Sequence, residues 1–275
     1  MTSDQIRICP KCGAEIRAPS IKYCPICNTP LETPPPQFKP PTPVEPKILT
    51  WKTSLKALIL GFLLLLVAIN SCAYILIVLY GPLVLDLPDL AILSVISATK
   101  AVLLIPVAWY INKKEELGVS YEDSRSLLSD ILIGIVWAGI LIAVVWVIYT
   151  VEDTLLPPYP LYEFVETVFK TAKPEDYALF LVSTGLITPI SEEFFARVLI
   201  QQGLENSSGK RKGLLLSSLL VTLMFIIFSY TYALWLFLPM FIENLLLGLL
   251  YQLRNRRILP CICSHVLYQV IPLFI

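Results

Sequence analysis

The chain has 275 residues, of which 56% are hydrophobic and only 15% charged. That balance excludes an ordinary soluble globular domain and predicts an integral membrane protein, an all-α polytopic helical bundle. Lysine plus arginine equals aspartate plus glutamate at 21 each, so no basic surface for nucleic acid is expected.

The first fifty residues contain no basic stretch leading into an apolar one, so no cleavable signal peptide is expected. They begin instead with "CPKCGAEIRAPSIKYCPIC", in which Cys9, Cys12, Cys24 and Cys27 form two CxxC pairs eleven residues apart. Two such turns place four thiolates tetrahedrally at about 2.3 Å from one Zn²⁺, and a segment this short has no other core to fold around. A structural zinc ribbon over residues 1–32 is therefore expected. Two disulfides or an iron site are the alternatives; Pro10, Gly13 and Pro25 favour tight metal-binding turns. Persistent thiolates imply a reducing compartment, which puts this end in the cytoplasm. The module resembles short zinc ribbons at the ends of prokaryotic membrane proteins, which implies a protein partner rather than a nucleic acid. A linker over 33–53 follows, and its proline-rich part "TPPPQFKPPTPVEPK" favours extended polyproline II and reads as a spacer.

From residue 54 to 275 the apolar runs predict about seven membrane spans: 55–80, 90–111, 127–150, 177–203, 214–230, 232–253 and 258–275. Basic residues test their direction. Lys47, Lys52 and Lys56 precede the first span, Lys113, Lys114 and Arg125 follow the second, Lys210 to Lys212 follow the fourth, and Arg254, Arg256 and Arg257 follow the sixth. All four groups fall on one side, so the positive-inside rule puts the N-terminus in the cytoplasm and the C-terminus outside. The expected location is the cell membrane, with the lipid bilayer as the surrounding partner.

"SEEFFAR", residues 191–197, then stands out, because charged groups at membrane depth are expensive and by default paired and functional. At about 1.5 Å of rise per residue, Glu192, Glu193 and the single histidine, His265, come out at nearly the same depth. Glu243 and Asn244 lie nearer mid-depth and should also face an interior cavity. Glu193 and Arg197 are four apart with the acid first, the favourable direction for a helical ion pair. Glu192 points about 100° away and is expected to be left without a direct partner, which suits a base acting on water. Pro189 leaves the Gly185 carbonyl without its usual helix partner, a disruption that commonly marks a cavity. His265 and Gln269 share a face of the last span and can both donate to an oxyanion. A lone histidine excludes the HExxH type of zinc protease, and Cys72, Cys261 and Cys263 read as small apolar fillers.

These residues resemble the CPBP intramembrane proteases, the CAAX prenyl protease and bacteriocin-processing group, over about residues 177–275. "EEFFAR" matches the family's Glu-Glu-x-x-x-Arg element, and "HVLYQ" its His-x-x-x-Asn element with Gln269 in place of Asn. The resemblance implies that Glu192 is the base that activates water, Glu193 and Arg197 a structural and substrate-positioning pair, and His265 with Gln269 the oxyanion donors, with no metal at this site. It implies a membrane-associated or lipid-modified peptide as substrate, cleaved from the cytoplasmic side.

The family's middle element, Phe-x-x-x-His, has no match. In "SSLLVTLMF" one register puts Phe225 at the histidine, and the other puts Ser229 there; neither supplies an imidazole. Val198 also follows Arg197 where the family usually has glycine. Two readings therefore stand: a glutamate-dependent intramembrane endopeptidase, and a catalytically impaired member that acts as a membrane-bound scaffold through its ribbon.

Overall fold

The computed structural model describes residues 7–17, 21–31, 49–80, 89–112, 127–155, 172–227 and 233–271. Residues 33–48 of the expected linker, the basic residues Lys113, Lys114 and Arg125, and Ser229 lie outside these residues. The chain divides into two compact units, Met1–Glu45 and Pro46–Ile275.

In the first unit, strand β1 (Arg7–Ile8) pairs antiparallel with β2 (Glu15–Ile16). Its buried apolar cluster is Cys9, Ile16, Cys24 and Leu31.

The second unit is helical. Helix α1 spans Trp51–Tyr80 and α2 spans Asp89–Ala98; a 3₁₀ segment, Thr99–Leu103, leads into α3, Leu104–Asn112. Helix α4 is Leu127–Leu155, α5 is the long helix Pro174–Ser208, α6 is Lys210–Ile226, α7 is Ala233–Leu253 and α8 is Leu259–Val270. Among the described residues five stretches are long and apolar enough to cross a membrane: Trp51–Leu79, Leu90–Ala108, Leu127–Leu155, Pro174–Ser208 and Trp235–Leu253. The expected fifth and seventh spans fall on α6, with 17 residues, and α8, with 12. Among the described residues these two are shorter than the roughly 20 residues of a full crossing.

Helix α5 changes pitch twice. Ser183–Ile187 and Phe194–Gln201 are π-helical, with the Thr188 N–H donating to the Ser183 carbonyl and the Gln202 N–H to the Arg197 carbonyl, each five residues back. The first widening lies just upstream of Pro189, whose missing N–H disturbs the usual ladder. Such widenings are common at functional sites, because they redirect the side chains that follow. Here they bracket Thr188–Glu193, the turn that presents the two carboxylates.

Close backbone approach sets the other walls. A Cβ on Gly134 of α4 would lie 2.7 Å from Cys263 Cβ and 2.9 Å from the Pro260 carbonyl oxygen, so only glycine lets α8 lie this tightly along α4. At one end Asp130 of α4 accepts ion pairs from Arg254 at 2.7 Å and Arg257 at 2.8 Å, fixing the turn between α7 and α8. Thr188 donates to the Ser97 carbonyl at 3.2 Å, joining α5 to the end of α2.

Candidate active site and metal centre

The site is built from five helices, α4 to α8, and the 3₁₀ segment. Glu192 and Glu193 come from the straight turn of α5, and both are buried. Glu193 uses both oxygens: Oε2 pairs with Arg197 Nε at 3.0 Å, and Oε1 lies 3.0 Å from His265 Nδ1 on α8. The expected ion pair four residues along the helix is thus present, and it also aims the imidazole. Arg197 is fully buried, and its other nitrogens donate to Gln201 Oε1 at 3.3 Å and Asn244 Oδ1 at 3.0 Å.

The polar seam continues down α5. Gln201 donates to Glu205 Oε1 at 2.6 Å and to the Gly248 carbonyl at 2.9 Å, and Gln252 donates to Glu205 Oε1 at 2.8 Å. One face of α5 therefore carries Glu193, Arg197, Gln201 and Glu205 against Asn244, Gly248 and Gln252 of α7. Buried charge is tolerated here because each group has a geometric partner.

His265 has a carboxylate oxygen at each ring nitrogen. Glu193 lies at Nδ1, Glu243 Oε1 is 3.0 Å from Nε2, and Glu192 Oε2 is 3.7 Å from the same Nε2. Gln269 Nε2 lies 3.4 Å from His265 Nε2, so the last-helix pair shares a face as expected. Glu243 and Asn244 also reach the cavity wall.

One expectation is overturned. Glu192 is not left without a partner: Lys100 Nζ lies 2.6 Å from its Oε1. The lysine comes from the 3₁₀ segment, and its ammonium stands 5.2 Å from the centroid of the Phe225 ring. Sequence reading from α5, α6 and α8 alone missed it, although a signal was present. A single lysine inside the apolar run "SVISATKAVLLIP" is itself an intramembrane charge and, by the rule applied to Glu192, a candidate functional group.

All of these groups face a cavity of about 590 Å³, within the range of small-ligand sites. Its polar wall carries Lys100, Glu192, Glu193, Glu243, Asn244, His265 and Gln269; Val145, Trp146, Leu236, Met240 and Tyr268 lie on its apolar wall. Phe225 lines the cavity without filling it. The arrangement offers a carboxylate oxygen beside open space, with nitrogen donors nearby, which is what hydrolysis of an amide requires.

In the ribbon, Cys9, Cys12, Cys24 and Cys27 hold their sulfurs within 4.8 Å of one another, and the Cys9–Cys27 and Cys12–Cys24 pairs are 3.6 Å apart. Four sulfurs around one metal at 2.3 Å would be separated by about 3.8 Å, so this set could hold a metal ion. The two knuckles repeat one geometry. Gly13 and Asn28, each four residues after the first cysteine of a pair, both have positive φ, at 72° and 55°, and each N–H returns to that cysteine's carbonyl. Glycine suits the first turn, and asparagine is among the few side chains that tolerate the second. Backbone N–H groups of Cys12 and Lys11 aimed at Cys9 lower its thiol pKa, and hydrogen bonds from the Thr29 hydroxyl and backbone lower that of Cys27 to about 6. Both shifts favour the thiolate form that binds metal, whereas Cys12, despite the Ala14 backbone N–H, is pushed up to about 12 chiefly by its hydrogen bond with Cys27.

No curated protein and no solved structure matches the chain. A family model does match: residues 174–271 fit the type II CAAX prenyl endopeptidase Rce1-like family. The matched segment begins with α5 and runs through α8, so of the residues lining the cavity it contains all except Lys100 and those of α4. Over α5 to α8, about a third of its length, the chain is thus similar to the Rce1-like type II CAAX prenyl endopeptidases.

Proposed function

We propose that the chain is a glutamate-dependent intramembrane endopeptidase, with Glu192 as the base, acting on membrane-associated or lipid-modified peptides from the cytoplasmic side. The observation that carries this reading is the placement of Glu192 Oε2 3.7 Å from His265 Nε2 at the wall of an open cavity. In the reaction, Glu192 takes a proton from water as the water oxygen bonds to the scissile carbonyl carbon. His265 and Gln269 donate to the oxygen that gains charge. Collapse of the tetrahedral species breaks the C–N bond, and the proton held by Glu192 passes to the departing amine. Glu193 and Arg197 do no chemistry; they hold the imidazole and the helix. The apolar wall suits a lipid chain or an apolar peptide segment. Zinc is the metal inferred for the ribbon, from its all-thiolate donor set, and a protein partner is the inferred ligand of the ribbon surface.

The test compares wild type with Glu192→Gln in host membrane extract, reading new peptide termini by mass spectrometry. General bases contribute about 10²–10⁴ in rate, so termini made by wild type should disappear in the variant. Identical termini from both proteins would leave the scaffold reading in its place.

A further inference from the structure

We propose that Lys100 is the residue that positions Glu192 for catalysis, a role that lies outside the family-matched segment; the inference rests on the endopeptidase reading above. A lysine in mid-span opposes membrane insertion even on lenient scales, and Lys100 sits in the middle of the apolar stretch Leu90–Ala108. Its ammonium is directed to the carboxylate proposed as the base, at 2.6 Å.

The backbone is arranged to deliver it. The α-helical run stops at Ala98, and the 3₁₀ segment Thr99–Leu103 carries Lys100. One turn before Glu192, the Thr188 hydroxyl grips the Ser97 carbonyl at 3.2 Å, so the two helices are pinned beside the ion pair. Thr188 and Ser191 are buried on the same stretch, leaving the pair little freedom to slide.

Charge matching gives Lys100 its specific role. Beside the cavity Arg197 is taken by Glu193, and His265 lies 3.0 Å from both Glu193 and Glu243 but 3.7 Å from Glu192. Lys100 is the cation set on Glu192. By fixing Oε1 it fixes the orientation of the whole carboxylate, and Oε2 is then presented to the cavity without closing on His265. With the lysine removed, Glu192 would rotate to shorten its 3.7 Å separation from Nε2, and the oxygen meant for water would be spent on the imidazole. Phe225, 5.2 Å from the ammonium, occupies the neighbouring space, so an imidazole introduced there would reach the same carboxylate.

The experiment uses the full chain in liposomes, with Lys100→Met, Lys100→Arg and the double variant Lys100→Met/Phe225→His. On a peptide identified from the Glu192→Gln comparison, Lys100→Met should lower kcat by about 10²-fold with KM little changed, the effect of a group displaced by about 1 Å. Lys100→Arg should keep most of the rate, and Phe225→His should restore part of it in the Lys100→Met background. A second readout needs no turnover: dicyclohexylcarbodiimide modification of Glu192, located by peptide mass. It should be slow in wild type and Lys100→Arg and fast in Lys100→Met. Equal kcat or equal labelling in wild type and Lys100→Met would overturn the proposal, as would a loss seen only in KM. Lysine-dependent labelling in a protein that cleaves nothing would keep the positioning role and remove the endopeptidase reading instead.

Discussion

The ribbon buries Cys9, Ile16, Cys24 and Leu31 as its apolar cluster, whereas the membrane unit buries a large apolar core and, inside it, Glu193, Arg197, Gln201 and His265. The contrast follows from the solvent of each region. In water a segment this small cannot fold on apolar burial alone, so a metal held by the four cysteines would take the place of a core. In lipid an apolar side chain is about as comfortable outside the bundle as inside, so apolarity does not choose among helix arrangements. Close approach at glycine and directional polar pairs make that choice. The site chemistry and the fold specificity of the membrane unit thus draw on the same residues.

Removing the ribbon's metal should have the largest effect on either region. Metal binding in such modules is worth about 10–16 kcal/mol and is inseparable from folding. A strong chelator, or Cys9→Ser, is therefore expected to abolish amide-exchange protection over residues 7–31 and to leave protection in α5 to α8 unchanged. Residual protection in the stripped ribbon would mean that its four-residue cluster suffices, and the contrast would fail.

Next in size is Arg197→Met. It leaves Glu193 buried with its oxygen toward Arg197 unpaired, a change that costs about 3–5 kcal/mol when one partner of a buried pair is removed. Thermal unfolding in detergent should show a large drop in Tm. Adding Glu193→Leu should recover part of it, because an apolar pair in the same space is often tolerated. No recovery would indicate that the Glu193 contact to His265, and not the ion pair, carries the stability.

Much of this was legible in the sequence where the signal is local. The CxxC spacing announced the metal set, and Glu193 and Arg197 announced their pair because both lie on one helix. His265 could be brought to the carboxylates by depth alone, since a membrane reduces the search to one dimension. What depth could not supply is rotation about each helix axis, which decides whether two groups at one level meet. The Lys100–Glu192 pair depends on that rotation, set here by the 3₁₀ segment and by the π-turns of α5, and neither leaves a plain mark in the sequence. Asn28 shows the same limit on a smaller scale: its positive φ matches that of Gly13, but an asparagine alone does not declare it.

The smallest expected effect isolates packing from polarity within the bundle. A Cβ added at Gly248 would lie 2.5 Å from Leu214 Cδ1, 2.8 Å from Gln201 Oε1 and 3.1 Å from Arg197 NH1, whereas one added at Gly139 would meet nothing within 4 Å. Overpacking of this kind costs about 1–3 kcal/mol, so Gly248→Ala should lower Tm by less than Arg197→Met does. Its clashes are with side-chain ends that can yield, and none of the charges loses its partner. Gly139→Ala should be neutral or slightly stabilising, by up to about 1 kcal/mol, since alanine is the better helix former. If both glycines tolerate alanine equally, close approach of α7 to α5 is not what fixes the seam, and the polar pairs alone hold the two helices in register.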